Sequence, residues 1–118
     1  ASVHSIEQHA DFADAARARL HGARVTNATV EVAEAVNAFR PKEQFDILVV
    51  TGAVFALPQH WREWVRPGGR LFAIVGESPV QRAMLYTRGV DAQWREDGLF
   101  ETDVPYLNHA APPRRFVL

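Results

Sequence analysis

Two carboxylates that directly follow strand-like segments are the residues of this sequence best placed for binding chemistry. Glu7 ends the run VHSIE at Val3–Glu7, and Glu34 follows the β-branched run at residues 29–32. At the carboxyl end of a parallel strand, a carboxylate can accept two hydrogen bonds from a ribose diol, in the crevice where such folds bind ligands. The alternative for Glu7 is a solvated carboxylate favoured by a helix dipole. The alternative for Glu34 is a side chain on a short helix that faces solvent.

Other groups in the sequence suggest a binding surface more than a reactive one. Thr51, Gly52 and Ala53 follow an apolar run, and their small side chains either leave room for a ligand or form a plain strand-to-loop transition. Ser78 precedes a proline and lacks the G-x-S-x-G setting of a hydrolase nucleophile, so no catalytic residue is assigned. No metal site is predicted, because the sequence has no cysteine and its histidines lack ligand spacing with acids. These histidines are His4, His9, His21, His60 and His109.

Composition excludes several classes of partner. The chain has 118 residues, of which 47% are hydrophobic and 23% charged, an ordinary balance for a globular protein. The formal net charge is −1 with both signs interspersed, so no nucleic-acid surface is predicted. The apolar runs are far shorter than the roughly 20 residues that span a bilayer, and the N-terminus has no signal-peptide pattern. The lack of cysteine fits a reducing compartment, and we expect a cytoplasmic protein.

The elements that must position these residues alternate between strand and helix. Residues 10–21 have a helical pattern, and Gly22 is predicted to end the helix in the left-handed conformation. Residues 34–39 are predicted as a second, short helix. The apolar face predicted for the first helix consists of Phe12, Ala16 and Leu20.

The central part of the sequence repeats this alternation. The runs at residues 45–51 and 70–76 are nearly continuous in apolar residues, which predicts strands buried on both faces of a parallel sheet. Pro58 is predicted to start the helix between them, and Pro67-Gly68-Gly69 to end it. The apolar stripe of that helix, interpreted as core, is Leu57, Trp61, Trp64 and Val65.

The C-terminal part predicts an antiparallel hairpin. Residues 83–88 and 93–104 are strand-like and are joined near Gly89-Val90-Asp91, and Gly98 indicates a bulge in the second strand. Together with the preceding alternation, this predicts an α/β fold whose parallel sheet ends in a hairpin.

Three segments resemble one enzyme family, in the same order. VHSIE at Val3–Glu7, followed by a helix, is similar to the second strand of class I S-adenosylmethionine-dependent methyltransferases. FDILVVTGAVFALP at residues 45–58 resembles the fourth strand and loop of the protein-L-isoaspartate O-methyltransferases. VRPGGRLFAIVG at residues 65–76 resembles their helix-turn and fifth strand, and the hairpin and the PPRRFVL ending also look like that family.

The resemblance implies a fold, a reaction and a set of site residues. The fold is a Rossmann-like, three-layer αβα class I methyltransferase fold, with residues 1–118 as the C-terminal portion of a single domain. The reaction transfers a methyl group from S-adenosylmethionine to the α-carboxylate of an L-isoaspartyl residue in a damaged protein, and the ester then favours succinimide formation and partial return to aspartate. The cofactor-binding residues it implies are Ile6, Glu7, Glu34, Thr51, Gly52 and Ala53. Within this set, the resemblance implies that Glu7 binds the ribose hydroxyls, that Glu34 meets the adenine amino group, and that residues 51–53 lie beside cofactor and substrate.

Departures from the family pattern suggest that this chain alone is inactive. The sequence contains neither the family's glycine-rich loop nor its serine-bearing substrate lid, and Ala33-Glu34 stands where the family usually has Gly-Asp. We therefore expect the isolated chain not to methylate. A non-catalytic, degenerate module that binds a partner or nucleotide is the alternative, and a methyltransferase with another acceptor is a third possibility.

The resemblance also implies a gap in the sheet. The family's first strand lies between the strands that correspond here to Val3–Glu7 and residues 45–51. If both kept their places, a slot of about 10 Å would separate two edges with unpaired polar groups, which is too costly to leave empty. Either the two strands pair directly, or a strand of another chain fills the slot, or an N-terminal part outside this sequence does. We favour the last solution, and then a homodimer through the exposed edge.

Overall fold

The structure is a computed structural model that describes residues 1–114, in which alternating strands and helices give way to a run of strands. In chain order the elements are β1 (Val3–Glu7), α1 (Ala10–Gly22), β2 (Ala28–Val32), β3 (Phe45–Val54), α2 (Gln59–Glu63), β4 (Val65–Glu77), β5 (Val80–Arg88) and β6 (Trp94–Thr102). The apolar ending and the second of its two arginines, at residues 115–118, lie outside the described residues.

The chain divides into two compact units, each with its own sheet. Ala1–Arg40 holds β1, α1 and β2, and Pro41–Leu118 holds the remaining elements. Within residues 1–114, β1 pairs with β2 in a two-stranded sheet, and β3 belongs to a four-stranded sheet of order β3-β4-β5-β6. Direct pairing of β1 with β3, one of the three ways to close the predicted slot, is therefore not found in this structure.

In the first unit, β1 and β2 are parallel and α1 is the crossover between them. The register runs from Val3 opposite Ala28 to Glu7 opposite Val32. The helix buries Ala13 completely, whereas Phe12 is 60% exposed and lies edge-on to the His9 ring. The predicted apolar face was wrong at Phe12, because the least exposed face of the helix contains the buried Ala13 and the partly buried Ala16 and Leu20, spaced by three and four residues.

The ends of two predicted helices differ from expectation. Gly22 is the last residue of α1 and does not take the left-handed conformation, which Arg24 adopts instead with φ 58°. The predicted helix at residues 34–39 is a turn, closed by a hydrogen bond from the Phe39 N–H to the Glu34 carbonyl at 2.8 Å. A segment this short cannot offset the cost of helix nucleation, and the Glu34 carboxylate binds the N–H groups locally.

In the second unit, the predicted parallel and antiparallel pairings are both confirmed. β3 and β4 are parallel, and β5 pairs antiparallel with both β4 and β6. The bulge predicted at Gly98 is also found, since Ala83 pairs with Phe100 while Met84 pairs with Gly98, which leaves Leu99 as the extra residue. The hairpin turn closes through a hydrogen bond from the Gly89 N–H to the Gln93 carbonyl at 2.7 Å.

The Pro67-Gly68-Gly69 segment is a bulge inside β4 and not the end of a helix. α2 ends at Glu63, and Val65 already pairs with β3; the register then shifts so that Ile47 pairs with Arg70. Gly68 adopts φ 83°, a conformation that favours glycine. Pro58 lies just before α2 as its N-cap residue, so the predicted start of the helix is off by one position.

α2 covers one face of the four-stranded sheet. Trp61 and Trp64 are 1% and 8% exposed, which confirms that they belong to the core. The Arg62 guanidinium lies 5.0 Å from the Tyr86 ring centroid and 5.1 Å from that of Trp94, and it forms an ion pair with Glu96 at 3.1 Å. Burial raises the pKa of the Tyr86 phenol, the Glu96 carboxylate raises it further, and Arg62 opposes both.

The opposite face of β3 is open within the second unit. Ile47 and Val49 are 57% and 58% exposed, so the prediction that this run is buried on both faces was wrong for residues 41–114. Both side chains share a face with Phe72, the partner of Val49 in β4. α2 lies on the face of Tyr86 and its register partner Leu71, so within residues 41–114 no helix covers the Ile47 face.

We predict that Gly69→Ala lowers the free energy of unfolding by about 1–3 kcal/mol. A Cβ at this position would lie 2.6 Å from the Asp46 carbonyl oxygen and 2.7 Å from Val65 Cγ1. The matched control is Gly22→Ala, where nothing lies within 4 Å, and which should stabilise the helix end by up to about 1 kcal/mol. Urea denaturation of both variants tests this; equal midpoints would contradict it.

Candidate functional site

The carboxyl ends of β1 and β2 bring Glu7 and Glu34 to the same end of the first sheet. Parallel pairing places Glu7 opposite Val32, and the Ala33 N–H donates to the Glu7 carbonyl at 3.0 Å. The Glu7 side chain is partly buried, and its Oε1 accepts the His9 N–H at 3.2 Å. A carboxylate has about four acceptor sites, so Glu7 can still accept hydrogen bonds from a diol.

Glu34 is held by the turn that it begins. Its Oε1 accepts the Val36 N–H at 2.6 Å and its Oε2 accepts the Asn37 N–H at 2.8 Å. Both oxygens are thus oriented by the backbone. This arrangement supports a structural role for Glu34 and leaves the proposed contact with an adenine amino group as a prediction.

Ile6 lies beside a polar cluster that the sequence did not reveal. Its register partner is Glu31, whose Oε2 lies 3.0 Å from His4 Nε2. His4 Nδ1 lies 2.8 Å from Thr29 Oγ1, and the His4 ring stacks on Phe39 at 6.0 Å between centroids. This cluster fastens β1 to β2 and to the turn after β2. The sequence indicates this cluster only through the alternation of side chains along a strand, which places His4 and Ile6 on the same face of β1.

The end of β3 offers less surface than its sequence suggested. Thr51 is exposed and Gly52 partly buried, but Ala53 has no exposed surface and packs with Ile74 and Ala83. Among the three predicted residues, Thr51 and Gly52 are therefore the ones with surface available to a ligand in this structure. The binding role of all three stays a prediction.

A segment after β6 packs against this strand end. The Ala53 N–H donates to the Pro105 carbonyl at 3.1 Å, and the Leu107 N–H donates to the Ala53 carbonyl at 2.8 Å. A Cβ on Gly52 would lie 2.4 Å from Leu107 Cδ2, so glycine permits the close approach of the two segments. Sequence reasoning missed this contact, which joins residues more than fifty positions apart.

The structure thus forms two groups of candidate residues, one in each unit. Ile6, Glu7 and Glu34 lie at the carboxyl end of the β1–β2 sheet, and Thr51 and Gly52 lie at the carboxyl end of β3. Within residues 1–114, no cluster of three or more histidine or acidic side chains is placed to hold a metal ion. Neither helix in that part of the chain has the length and apolarity needed to cross a membrane.

Comparison with known proteins gives a consistent result. The sequence model of the family described as Protein-L-isoaspartate(D-aspartate) O-methyltransferase (PCMT) matches residues 1–107. The Methanoculleus marisnigri protein-L-isoaspartate O-methyltransferase is 38% identical over 81 residues, which make up 69% of this chain and 37% of that protein. The Pyrococcus abyssi protein of the same name is 31% identical over 83 residues, 70% of this chain and 38% of that protein. The chain therefore spans well under half the length of these relatives.

Solved structures of the same enzyme type share the fold. One, a protein-L-isoaspartate O-methyltransferase from Plasmodium falciparum in complex with S-adenosyl-L-homocysteine, superimposes with a TM-score of 0.76 at 16% identity, over 90% of this chain and 52% of that one. Another protein-L-isoaspartate O-methyltransferase gives a TM-score of 0.76 at 19% identity, over 89% and 33% of the two chains. The predicted Rossmann-like methyltransferase fold is thereby confirmed.

We predict that Glu34→Ala accelerates amide hydrogen exchange at Val36 and Asn37 by about tenfold, because each N–H loses a charged acceptor. Glu31→Ala is the matched control: it removes a carboxylate from the neighbouring strand that binds His4 and should leave both amides unchanged. Unchanged exchange in Glu34→Ala would show that the turn does not depend on this carboxylate.

Proposed function

This chain belongs to the protein-L-isoaspartate (D-aspartate) O-methyltransferase family, and we propose that residues 1–118 are the C-terminal portion of one S-adenosylmethionine-dependent methyltransferase domain. The domain transfers a methyl group to the carboxylate of isoaspartyl residues in damaged proteins or peptides. The observation that carries the proposal is the family match over residues 1–107, which includes both groups of candidate residues. That match favours an enzyme over a non-catalytic, degenerate module.

Glu7 is the residue that we propose to hold the cofactor's ribose. It lies at the carboxyl end of a parallel strand, and the acceptor capacity left on its partly buried carboxylate suits two hydroxyl donors. Ile6 precedes it on the other face of β1, and Glu34 lies at the same sheet end, where a carboxylate oxygen suits an adenine amino group. The S-adenosyl-L-homocysteine in the Plasmodium falciparum structure supports this choice of ligand.

Thr51, Gly52 and Ala53 are proposed to form the part of the site next to the reacting groups. S-adenosylmethionine supplies an activated methyl group on a sulfonium, so no strong acid or base is required of the protein. The chain's contribution is positioning, which can supply several kcal/mol of the barrier reduction. The small side chains of Thr51 and Gly52 leave room at the strand end, while the buried Ala53 fixes the backbone there.

The strand edge of β3 is proposed as an interaction surface. Among the strands of residues 1–114, β3 is hydrogen-bonded to β4 along one side and has Ile47 and Val49 exposed on its open face. We propose that another part of the natural protein covers this edge, and that a second copy does so when the chain is isolated. We further propose a cytoplasmic location and isoaspartyl proteins as the partners.

Glu7→Gln in the natural protein that contains this chain is expected to weaken S-adenosyl-L-homocysteine binding about tenfold to a hundredfold, because it removes the charge and keeps the shape. Calorimetry measures the affinity, and Glu31→Gln on the neighbouring strand is the control.

A radiolabelled methyl-transfer assay tests the proposed function. The natural protein should methylate an isoaspartyl peptide and should not methylate the matching aspartyl peptide. Residues 1–118 alone should give a background signal.

Two results would overturn these assignments. Equal affinities of the wild type and Glu7→Gln would return Glu7 to the role of a solvated carboxylate. Absence of methylation by the natural protein, with cofactor binding intact, would refute the proposed activity.

The isolated chain is expected to self-associate through the β3 edge. Light scattering at micromolar concentration should detect dimers or larger species, and Val49→Lys, which places a charge on the exposed face, should reduce them. The control is Val80→Lys in β5, where the valine is 60% exposed, compared with 58% for Val49; this change should not reduce self-association. A monomer with high cooperative stability in urea would contradict the expectation.

A further inference from the structure

The segment at residues 103–107, which we call the C-terminal strap, joins the end of β6 to the end of β3. Its backbone forms two hydrogen bonds with Ala53, one in each direction: the Ala53 N–H donates to Pro105 and the Leu107 N–H donates to Ala53. The contact is a parallel bridge between Ala53 and Tyr106. Leu107 also lies directly over Gly52. The strap therefore contacts Gly52 and Ala53, two of the three residues proposed to lie next to the reacting groups, a part of the site that we call the acceptor end.

Side chains fasten the strap to the end of β4 and to the turn that follows it. The Tyr106 hydroxyl accepts the Ser78 N–H at 2.7 Å and donates to the Gly76 carbonyl at 3.1 Å. The Ser78 hydroxyl donates to the Asp103 carboxylate at 2.7 Å. The strap is thus held between the turn after β4 and the end of β3.

A buried glutamine provides the remaining anchor. Gln81 has no exposed surface, and its Oε1 accepts the Val104 N–H at 2.8 Å. Val104 and Tyr106 also pack against the buried cluster of Ala53, Ile74 and Ala83. Placing a polar amide in the core is costly, and this hydrogen bond to the strap offsets part of the cost.

We propose that Tyr106 is a positioning residue for the methyl-transfer reaction, an inference that rests on the proposed function. Its hydroxyl binds Gly76 at the end of β4 and Ser78 in the turn that follows, and the strap that it holds there contacts Gly52 and the backbone of Ala53. A displacement of about 1 Å at a reacting centre costs roughly a hundredfold in rate, so the acceptor end of the site depends on this connection. Glu7, the proposed ribose ligand, lies in the other unit.

The experiment compares Tyr106→Phe with Tyr86→Phe in the natural protein that contains this chain. Tyr106→Phe keeps the ring and its packing and removes both hydroxyl bonds. Tyr86→Phe makes the same change to the other tyrosine, on the face covered by α2. For Tyr106→Phe we expect kcat/KM for an isoaspartyl peptide to fall about five- to thirtyfold, with S-adenosyl-L-homocysteine affinity within about twofold of wild type. Amide exchange at Ala53 and Leu107 should accelerate by a similar factor, and Tyr86→Phe should change none of these.

Each outcome decides the proposal. Wild-type kcat/KM in Tyr106→Phe, with or without faster exchange, would reduce Tyr106 to a structural residue and overturn it while the proposed function stands. If the wild-type protein methylates no isoaspartyl peptide, the proposed function fails, and exchange alone decides. Acceleration at Ala53 and Leu107 in Tyr106→Phe but not in Tyr86→Phe then supports positioning of that backbone, and unchanged exchange overturns it.

Discussion

Parallel pairing is the constraint on which the rest of this structure depends. Two parallel strands that follow one another must be joined by a crossover, and their carboxyl ends then lie at the same edge. In this chain α1 is the crossover between β1 and β2, and the segment containing α2 is the crossover between β3 and β4. Each crossover brings a loop that follows one strand next to a loop that follows another. The candidate residues occur at these strand ends or, for Glu34, in the loop that follows, because the polar backbone groups released at a strand end are available there.

The end of β3 shows how such a loop is stabilised. A strand that runs out of its sheet leaves N–H and C=O groups without partners, and burying them unpaired would be costly. The strap after β6 supplies both partners to Ala53, and glycine at position 52 lets Leu107 approach closely enough to do so. The same segment therefore satisfies the backbone of Ala53 and packs Val104 and Tyr106 against the buried cluster that contains Ile74 and Ala83.

The elements that could be predicted from sequence are those with strong local patterns. The apolar runs of β3 and β4 predicted parallel strands, and Gly98 predicted a bulge, because these signals depend on neighbouring residues. The sequence-based predictions were wrong where the burial of a side chain depends on which other element packs against it. Phe12 faces outward although it fits a helical stripe, and one face of β3 is open within residues 41–114 although its sequence is nearly continuous in apolar residues. The hydrogen bonds of Tyr106 and Gln81 left no sequence signal, because their partners are distant in the chain.

The distribution of tryptophan gives the two units different spectroscopic properties. All three tryptophans lie in Pro41–Leu118, at positions 61, 64 and 94, and both tyrosines lie there too. Indole fluorescence therefore reports on the second unit and is silent on the loss of α1 and the β1–β2 pair. Circular dichroism registers α1, the longer of the two helices found in residues 1–114. Where the two units unfold separately, the two signals follow different denaturation curves, and a single curve for both signals indicates that the units unfold together.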